Sequence, residues 1–185
     1  LGAYASIFGD TGADTIFNSG ASVTISAGDG DDSIRNSGSY TAIKVGGGTN
    51  TVRNSGASVT IEGNSLDDYI LNSGKNFNIS VGAGDDTVSV SGNTGTVDAG
   101  EGNDTITVNS GSYLSIDGGT GLDTLSGYAL SSTIDGGADN DRITISGSAN
   151  SIIGGSGNDI LRLPVGSSTI SGGTGNDIIR LNSGK

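Results

Sequence analysis

Aspartates preceded by closely spaced glycines recur along this chain, as in GGSGNDILRL at 154–163 and GGTGNDIIRL at 172–181. Taking the aspartate as an anchor gives positions Asp14, Asp32, Asn50, Asp68, Asp86, Asp104, Asp123, Asp141, Asp159 and Asp177. Every interval is 18 residues except Asp104 to Asp123, which is 19. Six anchors have glycines four and two residues ahead: Gly28 and Gly30, Gly82 and Gly84, Gly100 and Gly102, Gly119 and Gly121, Gly155 and Gly157, and Gly173 and Gly175. Glycine reaches positive φ without steric cost, so such a turn can aim several carbonyls inward. Carbonyl and carboxylate oxygens together make a hard-cation site, and Ca²⁺ takes six to eight such ligands. Mg²⁺ prefers to keep its waters. With no His and no Cys in the chain, zinc, copper and iron–sulfur centres are poor candidates.

Four turns depart from the pattern. Asn50 supplies a neutral amide; Asn64 and Leu66 replace the glycines ahead of Asp68; Asp139 precedes Asp141; and Asp10 precedes Asp14. Metal ligation is expected at Asp14, Asp32, Asp68, Asp86, Asp104, Asp123, Asp141, Asp159 and Asp177, less completely where glycines are missing, with the turns at Asn50 and Asp68 the weakest.

The anchors must be positioned by something that repeats with them. Two residues after each anchor lie Ile16, Ile34, Val52, Ile70, Val88, Ile106, Leu125, Ile143, Leu161 and Ile179. Eleven residues after lie Ile25, Ile43, Ile61, Ile79, Val97, Ile134, Ile152 and Ile170, joined by Ile116 across the longer unit. These rows are mostly β-branched, and the sequence around them alternates with period two, as in Asp104-Thr-Ile-Thr-Val; both are strand signals. Each unit therefore reads as two short strands and two turns, the second turn usually Asn-Ser-Gly or Ser-Gly. The fold expected is all-β, a parallel β-solenoid of about ten 18-residue coils forming one array over residues 1–185. At ~4.8 Å per coil it makes a rod roughly 50 Å long. A third row, Asn18, Asn36, Asn54 and Asn72 and then mostly aliphatic residues, predicts an inward amide ladder in the first half.

Stacking places a carboxylate at each ~4.8 Å step. Neighbours then repel by roughly 1 kcal/mol even in water, and Ca²⁺ shared between successive turns removes that penalty.

The segments Gly154–Arg162, Gly172–Arg180 and Gly118–Ser126 follow the pattern GGxGxDxUx, with U a large aliphatic residue. The chain thus resembles the RTX family of calcium-binding β-rolls, and the resemblance runs over its whole length. It implies a right-handed β-roll in which the first glycines ligate Ca²⁺ through their carbonyls and the aspartate through its carboxylate. The usual β-roll carries the motif in both halves of each coil. Here one half carries it, so a single row of calcium ions between adjacent coils is expected, resembling the calcium-bound solenoid of large bacterial ice-binding adhesins. The resemblance further implies a bacterial protein exported by a type I system to the cell surface or medium.

Composition narrows the function. The net charge is −12, from 18 Asp and 2 Glu against 8 Lys and Arg. Nucleic acid and anionic membrane surfaces are therefore unexpected partners. The absence of Cys excludes a disulfide framework. No apolar run reaches the roughly 18 residues of a membrane span, and the opening LGAYASIFGD has no basic signal-peptide region. Without His or Cys, and with paired carboxylates in repeated turns rather than across a cleft, an enzyme is not expected. Outward Thr rows (Thr24, Thr60, Thr96, Thr133, Thr169) suit plain strands, and an ice-binding face is a minor alternative. Arg35, Arg53, Arg162 and Arg180 are expected either to screen the acidic edge or to lie on the surface. The final Asn182-Ser183-Gly184-Lys185 shows no polar cap, so a fragment of a longer array or end-to-end self-association is expected. The function expected is a calcium-rigidified extracellular repeat, an adhesin stalk or filament. A calcium-triggered secretion domain of an RTX toxin or exoenzyme is the alternative.

Overall fold

The computed structural model describes residues 4–164 and 167–182, so Leu1–Ala3 of the opening segment and the Ser183–Lys185 terminus discussed above lie outside the described residues. Among the described residues there is no helix, and twenty strands run from β1 (Ala5–Phe8) to β20 (Ile178–Asn182). Odd-numbered strands form one ten-stranded sheet and even-numbered strands a second, each stacked in chain order. Pairing is parallel throughout and steps by one repeat. Ile25 pairs with Ile43 and Ile43 with Ile61 in the first sheet. Ile16 pairs with Ile34 and Ile34 with Val52 in the second. Parallel neighbours need a long return connection, and each coil supplies it as two turns and the strand of the opposite sheet. The chain is a parallel β-solenoid of about ten coils.

Alternation decides what lies inside. The strand Thr15–Asn18 and its partner Ser33–Asn36 both read exposed, buried, exposed, buried. The two aliphatic rows meet between the sheets, with Ile25, Ile34, Ile43, Ile61, Ile70 and Ile79 all at 0–1% exposure. This core is one layer of side chains from each sheet. In the last described coil, Ile179 of the first aliphatic row and Leu181 of the third row remain 45% and 55% exposed, with no described coil over them.

The amide row also points inward. Asn18 Nδ2 donates to Asn36 Oδ1 at 2.7 Å, Asn36 to Asn54 at 2.7 Å, and Asn54 to Asn72 at 2.6 Å. Each amide also closes its own turn: Asn36 Nδ2 donates to the Gly38 carbonyl, and Asn36 Oδ1 accepts from Gly38 N–H. The asparagines are thus satisfied in place, which is what makes a buried polar row tolerable.

Two features of the second turn are not visible in its composition. The positive-φ residue is not the glycine of Asn-Ser-Gly but the position four residues beyond the asparagine, Ser22, Tyr40, Ser58 and Asn76, matched in later coils by Thr94, Tyr113, Ser131 and Ala149, all with φ between 51° and 60°. The glycine is required for close approach instead: a Cβ at Gly38, Gly56 or Gly74 would collide with the glycine carbonyl of the preceding coil. The nineteenth residue of the long unit is absorbed where strand Thr105–Ser112 meets Thr124–Leu130, as a register shift between Val108 and Gly111. The insertion therefore falls away from the aspartate turns.

Asn54→Ala is expected to lower the stability of the calcium-loaded protein by about 1–3 kcal/mol, because it strands the Asn36 donor and opens the Gly56 turn. Thr24→Ala, on the exposed face, is expected to change it by less than about 0.5 kcal/mol. Urea unfolding monitored by circular dichroism measures both.

Candidate metal row along the aspartate edge

All the anchors fall on one edge, in the turn leading from an odd-numbered strand to the next even-numbered one. Asp32, for example, follows Val23–Asp29 and precedes Ser33–Asn36. Asp32, Asn50, Asp68, Asp86, Asp104, Asp123, Asp141 and Asp159 are buried to 2% exposure or less. The expected glycines stack with them: Gly28 pairs with Gly46, Gly82 with Gly100, and Gly155 with Gly173.

One side-chain oxygen of each anchor from Asp32 to Asp177 has a fixed partner. The backbone N–H of Asp14 donates to Asp32 Oδ1 at 2.8 Å. The same bond recurs up the stack, through Asp86 to Asp104 at 2.7 Å, Asp123 to Asp141 at 2.9 Å, and Asp159 to Asp177 at 3.0 Å. This ladder holds every anchor carboxylate above Asp14 in one orientation. The other oxygen has nothing: Oδ2 of Asp14, Asp32, Asp86, Asp104, Asp123, Asp141 and Asp159 is buried without a hydrogen-bond partner. A buried carboxylate oxygen left unpaired costs several kcal/mol or forces protonation.

The titration behaviour reflects that cost. Burial pushes Asp86 up to about 7, Asp104 to about 6 and Asp141 to about 7, with neighbouring carboxylates adding to the rise and the backbone bond opposing it. Asp68, Asp123 and Asp159 are raised for the same leading reason.

Beside Asp14, Asp123, Asp141, Asp159 and Asp177 the space next to Oδ2 is kept open by a glycine five residues ahead that the spacing argument did not single out, Gly9, Gly118, Gly136, Gly154 and Gly172, while Ala27, Val81 and Ala99 hold that position ahead of Asp32, Asp86 and Asp104. An ideal Cβ at Gly118 would lie within 3.0 Å of both Asp123 Oδ2 and the Gly136 carbonyl oxygen. Gly136 stands likewise against Asp141 Oδ2 and the Gly154 carbonyl, and Gly154 against Asp159 Oδ2 and the Gly172 carbonyl. Each small space is therefore bordered by a carboxylate of one coil and a carbonyl of the next. The doublet itself was the available signal. No three acidic side chains converge anywhere among the described residues, so ligands beyond the single carboxylate of each coil must come largely from the backbone. Unpaired anionic oxygen next to carbonyl oxygen, with no nitrogen or sulfur ligand, fits a hard cation such as Ca²⁺.

The four irregular turns divide into two kinds. Asp10 and Asp139 adopt φ of 70° and 77°, so their turns keep the glycine conformation, and Asp14 and Asp141 retain an unpaired Oδ2. The coils at Asn50 and Asp68 are different. Asn50 Nδ2 donates to the Gly48 carbonyl at 3.0 Å and to Asp68 Oδ1 at 3.1 Å. Asn64 Nδ2 donates to the same Gly48 carbonyl at 2.9 Å and reaches Asp68 Oδ2 at 3.2 Å. Two amide groups thus bridge the carbonyl of one coil to the carboxylate of the next.

The family model described as RTX calcium-binding nonapeptide repeat (4 copies) matches residues 8–38, 78–106, 91–112, 117–145, 146–163 and 165–185. These segments cover most of the chain, and the chain belongs to this calcium-binding repeat family. The long stretch between the first two matches, 39–77, contains Asn50, Asn64 and Asp68. Comparison with curated proteins and with solved structures found no match.

The raised carboxylates fix the sign of a pH effect. In EDTA, Asp86, Asp104 and Asp141 hold protons in the fold that the unfolded chain, at the ordinary value of 3.8, has released. Stability of the metal-free fold is then fully present below about pH 4 and is lost as pH rises through 6 to 7. Far-UV circular dichroism in EDTA is expected to show more β-structure at pH 4.5 than at pH 7.5. Saturating Ca²⁺, which binds the ionised form, is expected to remove the difference.

Proposed function

We propose that this chain is a calcium-rigidified structural repeat of a bacterial surface or secreted protein, serving as a stalk or filament segment. The observation that carries the reading is the line of seven buried, unpaired Oδ2 atoms along one edge. In it, Asp14, Asp32, Asp86, Asp104, Asp123, Asp141, Asp159 and Asp177 supply carboxylates, and the glycine turns at 28–30, 82–84, 100–102, 119–121, 155–157 and 173–175 supply carbonyls. Bound Ca²⁺ contributes the positive charge that lets neighbouring carboxylates remain ionised. The chain's own residues do the rest: the backbone ladder orients the carboxylates above Asp14, and Gly9, Gly118, Gly136, Gly154 and Gly172 keep side chains out of the space beside Asp14, Asp123, Asp141, Asp159 and Asp177.

The ions lie in two runs in this account. Asn50 and Asn64 hold the third and fourth coils together through amide hydrogens, so Asp68 pairs with amides instead of a cation. A thin core and a negative chain leave the metal-free state weak at neutral pH, and binding energy becomes folding energy. Low calcium inside the cell keeps the chain extended for export, and millimolar calcium outside folds it. The same switch would serve a secretion domain of a larger toxin or exoenzyme; the unbroken parallel stack favours the load-bearing reading. An ice-binding face is not proposed. The row beside the outward threonines carries a Lys44–Glu62 ion pair at 2.8 Å and Asp98, Asp117 and Asp135 in register, which breaks a weakly hydrated surface.

Calcium added to EDTA-stripped protein at pH 7.5 is expected to restore β-structure cooperatively, and magnesium is expected not to. A chain that stays fully folded in EDTA contradicts the proposal. Restoring the glycine pattern with Asn50→Asp, Asn64→Gly and Leu66→Gly together is expected to raise the number of bound Ca²⁺ per chain by at least one, as counted by equilibrium dialysis and elemental analysis. An unchanged count in a folded variant contradicts the division into two runs.

A further inference from the structure

The charges of this solenoid are sorted by face. All five arginines lie in even-numbered strands: Arg35 in Ser33–Asn36, Arg53 in Thr51–Asn54, Arg142 in Arg142–Ser146, Arg162 in Ile160–Pro164 and Arg180 in Ile178–Asn182. None of the 20 acidic residues lies in an even-numbered strand. The outer face of the second sheet is therefore purely cationic on a protein of net charge −12. Of the two placements expected for Arg35, Arg53, Arg162 and Arg180, the acidic edge or the surface, the structure shows the surface, with Arg35, Arg53 and Arg180 exposed. The one salt bridge among the described residues is Lys44–Glu62, on the other sheet.

The arginines are also paired with each other. Arg35 stands in register beside Arg53, and Arg162 beside Arg180. Like charges directly opposite on adjacent strands are destabilising, and no carboxylate relieves either pair among the described residues. Arg162 Nε is buried without a hydrogen-bond partner there. Each pair adjoins an open groove. One, of about 510 Å³, runs from Arg35 and Arg53 past Leu71 to Ser91 and Asn109. The other, of about 460 Å³, runs from Thr144 and Ser146 past Arg162 to Asn182.

We infer that this face binds an acidic glycan, a chain of carboxylate-bearing sugars laid along the rod. Guanidinium pairs take carboxylates in bidentate fashion. The first groove presents hydroxyls and amides such as Ser73, Ser89 and Asn109, which match sugar hydroxyls; the second sets Ile145, Leu163 and Pro164 beside Thr144 and Ser146, so it meets both the apolar face and the hydroxyls of a sugar ring. A single-stranded nucleic acid needs stacked aromatic platforms, and no aromatic side chain lines either groove. The acidic edge does not forbid a polyanion here, because charges beyond about 8 Å are screened at physiological ionic strength. The two pairs are seven coils apart, roughly 34 Å at ~4.8 Å per coil, so a chain long enough to touch both gains avidity. The inference rests on the arginine face and stands apart from the assignment of calcium ligands.

The test is calorimetric titration of the calcium-saturated full chain with a neutral-backbone glucan, a short oligo-uronate, and an oligo-uronate long enough to span both pairs. Arg35→Ser with Arg53→Ser, Arg162→Ser with Arg180→Ser, and Lys44→Ser as an opposite-face control complete the set, with circular dichroism confirming the fold. The long uronate is expected to bind more tightly than the short one, the glucan not to bind, and each arginine double variant to weaken the long uronate by about tenfold. Lys44→Ser is expected to bind as the parent. Uronate binding unchanged in both double variants would place the sugar acids at the calcium edge and overturn the inference. So would equal binding of the glucan. Self-association lost in the double variants without any glycan binding would assign the face to a second copy of the chain.

Discussion

A buried carboxylate repeated at every coil is the constraint on which this structure turns. The solenoid brings the aspartates into line because each coil is the same length, and coil length is what keeps the two aliphatic rows in register. The fold cannot keep its core aligned without also aligning its charges. The backbone ladder satisfies one oxygen of each carboxylate above Asp14, and the second oxygen is bare at seven anchors and met by an amide at Asp68. Protons, amides and divalent cations are the three chemistries able to meet that second oxygen, and the three compete for the same row.

The chain uses two ways of stacking polar groups, and it separates them in space. On the second-turn side, Asn18, Asn36, Asn54 and Asn72 form a neutral ladder that closes on itself. On the aspartate side, Asn50 and Asn64 form a short amide bridge within an otherwise anionic row. Both amide features lie in the first four coils. Asp14 and Asp32 there are as bare as the later anchors, but amides hold the third and fourth turns together, and the asparagine ladder gives way in later coils to aliphatic contacts such as Val90 and Val108. The later coils therefore depend more on the cation, in the quasi-one-dimensional manner of repeat arrays.

Much of this architecture could be read from the sequence, because a solenoid writes its register as a period. The anchor at every eighteenth position, the rows two and eleven residues after it and the alternation about them specify parallel strands, two sheets and one acidic edge. What escaped the sequence depends on contacts between coils. Nothing in the local sequence shows that Gly38 is needed for close approach while Tyr40 takes the positive φ. Asp10 and Asp139 look like the same kind of defect as Asn64, yet they keep the turn and Asn64 replaces it with hydrogen bonds. The sorting of arginines from carboxylates becomes visible only when every repeat is folded onto the same two faces.

The most direct measurement is anomalous scattering from crystals grown in calcium. The account predicts a line of ions along the aspartate edge beside the free oxygens of Asp14, Asp32, Asp86, Asp104, Asp123, Asp141 and Asp159, with a gap where Asn50 and Asn64 bridge to Asp68. Ions scattered elsewhere on the surface, or an edge of paired and protonated carboxylates with no ion beside it, would contradict it.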